Sequence, residues 1–484
     1  MCDRHEPGCW NCVRSGRVCP GYGVRLSWPD ENNQRRAVVF EPISSLLPGV
    51  DGQPVATRFI GVTCWDIEMH YFTTSKYLHR DSQVYYPPSQ LKKAKVWEPS
   101  MDGQFKSELI AYFRHVASKS LILLPDNQSG FCDLLLQLAV YNTNPTSRAV
   151  LYSLLALSST HRYGYHSAAN QLKVKAIVDL RSSIHGELTY TEALQHIAAG
   201  MLLCYSEIFE PSESSFQWPL YIAGVKRVAQ TISSDDTAHG EEWSILFSWI
   251  YYHDVLALFS LLHWRRASFE REELVRSQRL ELRLAITQAR TNINVIFGCS
   301  PEMLDLLADV FQFCGTFTHK STWIYRIEEQ LLFHNTRLMR TRQQLLLQGL
   351  TKVESSHIED IAELYRLAAL IYLHRMSGPL PGASTDIRIY KKLAFDILSR
   401  LLTCERAFPL SIVGCEAETD EQRSLVLSII SKTQRESNIR SLACVERLVK
   451  TKWIQDDLDE ADTLPYSCRL SLIISSSDFL PTFI

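Results

Sequence analysis

The 484-residue chain carries 50 Lys and Arg against 53 Asp and Glu, a formal net charge of −3, with 46% hydrophobic and 21% charged residues. That length exceeds one small domain and suffices to bury one large core or two smaller ones. The near-neutral balance excludes a polycation acting through bulk charge, so any nucleic-acid contact must come from a local basic segment.

The first segment, residues 1–28, holds four of the 13 cysteines, Cys2, Cys9, Cys12 and Cys19; the other nine are scattered from Cys64 to Cys468. The start is polar and cysteine-bearing from Met1, which reads as no signal peptide and points to a reducing compartment. There, clustered thiols indicate metal and scattered ones buried apolar residues. Cys9-Trp10-Asn11-Cys12 is a Cys-x-x-Cys knuckle, with Cys19 six intervening residues later and Cys2 the same gap before. A tight turn of this kind aims two thiolates at one ion, about 2.3 Å from each sulfur for zinc. The intervening Val13–Val18, with Arg14 and Arg17, is predicted to form a short helix.

Residues 29–104 show no sustained helical period and contain repeated breakers, among them Pro48, Gly49, Pro87 and Pro88. They read as a linker with some local structure and no core. From 105 to 484 the pattern turns helical. Lys106–Leu124 places Leu109, Ile110, Phe113, Val116 and Ala117 at three-four spacing, and Thr146–Tyr163 repeats the pattern. Glu192–Phe209 follows. Ser300-Pro301 reads as an N-cap with Pro at the first helical position. Ile361–Met376, stopped by Gly378, Pro379 and Pro381, then Asp386–Cys404 and Ser441–Trp453 complete the set. No β-alternation runs through this zone. Broad apolar faces call for partners on several sides, hence an all-α fold: one large helical domain behind a linker and a small cysteine module.

Trp243–Trp264 (WSILFSWIYYHDVLALFSLLHW) is long enough to span a membrane. His253 and Asp254 sit at its centre, where a charge costs about 2.5–3.5 kcal/mol. The segment is therefore predicted to be a buried core helix, and no membrane partner is expected.

The run CDRHEPGCWNCVRSGRVCPGYGVRLSW resembles the second half of the fungal binuclear zinc-cluster DNA-binding domain. The resemblance implies two Cys-x-x-Cys-x6-Cys halves whose six thiolates hold two Zn2+ ions. Cys2 then matches the last cysteine of the first half; Cys9, Cys12 and Cys19 are the second half, and Cys9 bridges both metals. The first knuckle and its base-reading basic helix have no counterpart from Met1 onward, so the expectation is a partial module with at most one well-formed zinc site, His5 being a spare ligand. A reading frame that begins upstream would complete it. Arg4, Arg14, Arg17 and Arg25 could contact DNA phosphate, which positions a protein but carries little sequence information. Further along, LLALSSTH (154–161), LLCYSEIF (202–209), WIYYHDVLALFS (249–260), FGCSPEML (297–304), LYRLAALIYLHR (364–375) and FPLSIVGCEA (408–417) resemble the fungal-specific transcription factor domain, a resemblance that implies a regulatory, non-catalytic role.

His253 and Asp254 are adjacent on a helix, about 100° apart, so they are read as structural polar contacts rather than a base and its orienter. Glu207 and Glu416 are read as paired or capping carboxylates, and Cys204, Cys299, Cys415 and Cys444 as apolar fillers. Ser234–Glu242 is read as a solvated acidic loop. No catalytic constellation is visible. The expected function is zinc-dependent, sequence-specific regulation of RNA polymerase II genes in a fungal nucleus. The alternative is an interaction protein that acts through its helical domain without specific DNA binding. The partners considered are DNA, a second copy or another transcription factor, and a small-molecule effector.

Overall fold

The computed structural model describes residues 103–122, 130–164, 166–184, 188–209, 217–232, 240–264, 290–294, 296–316, 324–346, 350–377, 387–437, 442–458, 465–477 and 480–484, together with 14–15, 62, 66–67 and 69–71. Among these there are fifteen α-helices, one 3-10 turn and no strand. We number the helices α1 (Gly103–His115), α2 (Phe131–Val140), α3 (Pro145–Tyr163), α4 (Ser167–Ser182), α5 (Tyr190–Phe209), α6 (Gln217–Ile232), α7 (Glu241–His263), α8 (Pro301–Thr316), α9 (Ile324–Arg340), α10 (Lys352–Ser377), α11 (Ile387–Arg400), α12 (Ala407–Cys415), α13 (Asp420–Ser437), α14 (Leu442–Leu458) and α15 (Tyr466–Ser475).

The helix ends are written in short polar signals. Asn144 caps α3: its side chain accepts from the Ser147 amide at 2.9 Å, Pro145 occupies the first turn, and Gly164 at φ 77° ends the helix. These are the residue types whose geometry suits each end. Three Thr-x-x-Glu/Gln capping boxes open other helices. Thr189 precedes α5 and pairs with Glu192 in its first turn, as Thr351 does with Glu354 in α10 and Thr419 with Gln422 in α13; in each the side chains exchange hydrogen bonds with the opposing amides. Ser300 caps α8 as its sequence predicts, its hydroxyl accepting from the Met303 amide at 3.2 Å.

Three helices carry the interior. α5 is buried from Ala193 to Phe209, α7 from Leu246 to Ala257 without a break, and α10 along most of its length from Ile358. α3 and α6 flank α5, α8 lies on α7, and α11 and α12 lie on α10, with α14 and α15 closing that side. One hydrophobic core runs from Met69 to Ile484. A small second cluster joins α1, α3 and α4 through Phe105, Leu109, Leu155 and Leu172.

Several expectations are corrected. The helix predicted over Lys106–Leu124 stops at His115: Val116 leaves helical geometry at φ −129°, is exposed, and a 3-10 turn Ala117–Ser120 follows. The Ser118 and Ser120 hydroxyls donate to the Arg114 and Ala117 carbonyls, competition that weakens a regular helix end. α11 stops at Arg400 rather than Cys404. Glu241 and Glu242, read as loop, form the first turn of α7, where carboxylates favour the helix dipole. Val62, Asp66 and Met69, inside the expected linker, are buried; Met69 belongs to the main core, and the Asp66 carbonyl accepts from Gln455 Nε2 at 3.0 Å. α7 is long and apolar enough to cross a membrane, yet 83% of its most apolar stretch is buried against other helices.

Candidate functional site

Cys2, Cys9, Cys12, Cys19 and His5, with Arg4, Arg17 and Arg25, lie outside the described residues; Arg14 is described, helical and exposed. Among the described residues no group of three or more His, Cys, Asp or Glu side chains is placed to hold a metal. The chemistry of the N-terminal donor set, four thiols with an internal knuckle, fits zinc on ligand type and spacing.

Within the helical domain, each singled-out carboxylate finds a cation on another helix. Asp254 on α7 pairs with Lys226 on α6 at 2.8 Å, both buried. Glu207 on α5 pairs with Lys173 on α4. Glu416, 2% exposed, accepts from Arg375 Nε at 3.0 Å to both oxygens and lies 3.4 Å from Lys391 Nζ. His253 and Asp254 do not bond to each other: His253 Nδ1 donates to the Trp249 carbonyl at 2.8 Å, and burial pushes its pKa down to about 3, so it is neutral. Cys204, Cys299 and Cys415 are buried, and burial raises their thiols, Cys415 to about 12. Cys444 is half-buried, its thiol also raised, to about 11. A thiol held protonated is a poor nucleophile, in keeping with a packing role.

A polar aromatic cluster that sequence reasoning missed lies where α5, α7, α10 and the start of α12 converge. At its centre is Arg406, 3% exposed. Its Nη2 donates to the Ile296 carbonyl at 2.6 Å, and its guanidinium sits 5.9 Å from the Tyr252 ring centre. Tyr252 stacks on Phe297 and its hydroxyl pairs with that of Tyr365 at 2.8 Å. Trp249, Tyr252 and His253 share one face of α7, and the Tyr205 ring lies 5.4 Å from His253 and 6.0 Å from Trp249. Burial works against the guanidinium charge, but Tyr252, Tyr365 and Tyr205, with Glu405, hold its pKa above the ordinary value. The signal available in sequence was a single cation, Arg406, directly before the apolar run AFPLSIVGC.

The geometry defines a class first: an all-α scaffold whose interior polar contacts run from helix to helix. Residues 108–467 match the fungal-specific transcription factor domain. The "Transcription factor iacI" of Pestalotiopsis fici is 33% identical over 400 residues, which cover 82% of this chain and 100% of that relative. No solved structure matches the chain. The chain belongs to the fungal-specific transcription factor domain family, and its function is transcription regulation.

Proposed function

We propose that the chain is a zinc-dependent, sequence-specific DNA-binding regulator of RNA polymerase II genes that works in the fungal nucleus. The observation that carries this reading is the order of its parts: a Cys9-x2-Cys12-x6-Cys19 cluster ahead of a domain that matches the family over residues 108–467. The cysteine module, residues 1–28, would dock on DNA, with Arg4, Arg14, Arg17 and Arg25 against phosphate. The helical domain, 105–484, would receive partners and signals. Regulators of this build act on DNA directly or through a second copy or another factor, and the name of the relative is consistent with either.

Zinc analysis and gel-shift titration on the purified chain test the reading. The expected result is stoichiometric zinc and binding whose affinity falls steeply with salt, since each arginine–phosphate contact releases counterions. In a Cys12→Ala variant, zinc and DNA binding should be lost while the helical circular-dichroism signal is retained, because metal binding is folding energy for the small module alone. Unchanged zinc content in that variant would contradict the ligand assignment.

A further inference from the structure

Five cations are buried among the described residues: Lys226, Lys391, Arg406, Lys452 and Arg469. Four of them have a carboxylate within 4 Å: Lys226 meets Asp254, Lys391 meets Glu416 and Glu418, and Lys452 and Arg469 share Asp456. Arg406 has none. Its neighbour in sequence, Glu405, instead faces His357 at 3.6 Å. A buried charge without a counter-ion is costly, and proteins keep one where something else supplies the opposite charge.

Three side-chain nitrogens in the surrounding cluster are buried and have no hydrogen-bond partner among the described residues: Arg406 Nε, Trp249 Nε1 and His253 Nε2. The first two are donors. The third is an acceptor, because the Nδ1 proton is committed to the Trp249 carbonyl. The ring walls are Tyr205, Tyr252, Phe297 and Tyr365. With His253 neutral and Glu405 turned to His357, the guanidinium is the one cation of the cluster, which suits a monoanion better than a phosphate dianion. Its flat aromatic walls suit a flat ligand.

We propose that this cluster is a binding site for small aromatic carboxylic acids, the carboxylate taken by Arg406 and the ring held among Tyr252, Tyr365 and Trp249. Two connecting segments border Arg406: the stretch that carries Ile296, between α7 and α8, and residues 401–406 between α11 and α12. That such an acid acts as an effector rests on the transcription-regulator reading; its binding does not.

The test titrates the purified full chain with benzoate, salicylate and 4-hydroxybenzoate, and with benzamide and salicylamide as uncharged counterparts, reading tryptophan fluorescence and the melting temperature. At least one acid should bind saturably, about tenfold or more tighter than its amide, as expected for a charge-assisted bond to a guanidinium. Arg406→Met should abolish that preference, and Arg406→Lys should retain part of it. Trp249→Phe keeps the ring, removes one donor, and should weaken the acid several-fold even if Arg406→Met fails to fold. No saturable binding by any of the three acids, equal binding of acid and amide, or full acid affinity in Arg406→Met or in Trp249→Phe would each overturn the proposal. None of these results touches zinc content or gel-shift affinity, so a failure here is separable from a failure of the DNA-binding reading.

Discussion

Asp254 and His253 show how two neighbours on one helix are put to different uses by what faces them. Asp254 meets Lys226, whereas His253 turns back along α7 to the Trp249 carbonyl. Removing one partner of the Lys226–Asp254 pair leaves the other charge buried. Lys226→Met or Asp254→Ala should each cost about 3–5 kcal/mol, and the double replacement by apolar residues clearly less than the sum. Urea unfolding of the four proteins in a double-mutant cycle measures this. For His253 the sign follows from its depressed pKa. The unfolded chain takes up a proton near pH 6.5 that the folded chain refuses until about pH 3. Stability contributed by this residue is therefore complete above pH 6.5 and is lost as pH falls below it, by up to about 1.4 kcal/mol per pH unit. Comparing the pH dependence of the unfolding free energy in wild type and His253→Asn between pH 7 and 5 should show a shallower slope in the variant.

At the scale of the element, close approach matters more than propensity. Gly200 lies in α5 where α6 crosses it, and a Cβ built there would run into the Val225 side chain. Gly200→Ala would be favourable on helix propensity alone, yet it should destabilise by about 1–3 kcal/mol, because α6 must shift. A fall in melting temperature checks this, and Val225→Ala in the same chain should recover part of it. Gly414 in α12 presents the same situation against Val449 at 2.9 Å and Val426 at 3.2 Å, while its carbonyl accepts from Trp453 Nε1 at 2.8 Å. The strong three-four patterns of α3, α5 and α10 were legible in the sequence because each has one long apolar stripe. α4, α6, α9 and α13 were not singled out: their apolar stripes are narrower and broken by charges such as Lys173 and Lys226, whose partners are distant in sequence. The Thr-x-x-Glu/Gln boxes before α5, α10 and α13 were present as local signals and would have fixed three starts.

Across the whole molecule, the last residues close the core. Phe483 is fully buried, its ring 5.0 Å from that of Phe259 at the heart of α7, and the Leu480 carbonyl accepts from Trp218 Nε1 at 3.2 Å. His263, one turn beyond Phe259, bonds Tyr372 on α10 and Ser471 on α15, both at 2.8 Å. Contacts this distant in sequence make the domain one cooperative unit, so Phe483→Ala should cost about 3–5 kcal/mol and lower the single unfolding transition without splitting it. Calorimetry distinguishes a shifted single peak from two.

The sequence by itself determined the all-α class, the burial of α7, the capped start of α8 and the likeness to the family that the match over residues 108–467 bears out. These are local properties: periodicity, capping chemistry and motif order are carried by residues a few positions apart. Only the tertiary structure decided which carboxylate meets which cation, that Met69 and Phe483 enter the core, and that Arg406 is buried among tyrosines with no carboxylate of the described residues paired to it within 4 Å. Those facts depend on contacts between residues tens to hundreds of positions apart, and no local pattern encodes a distance across the fold.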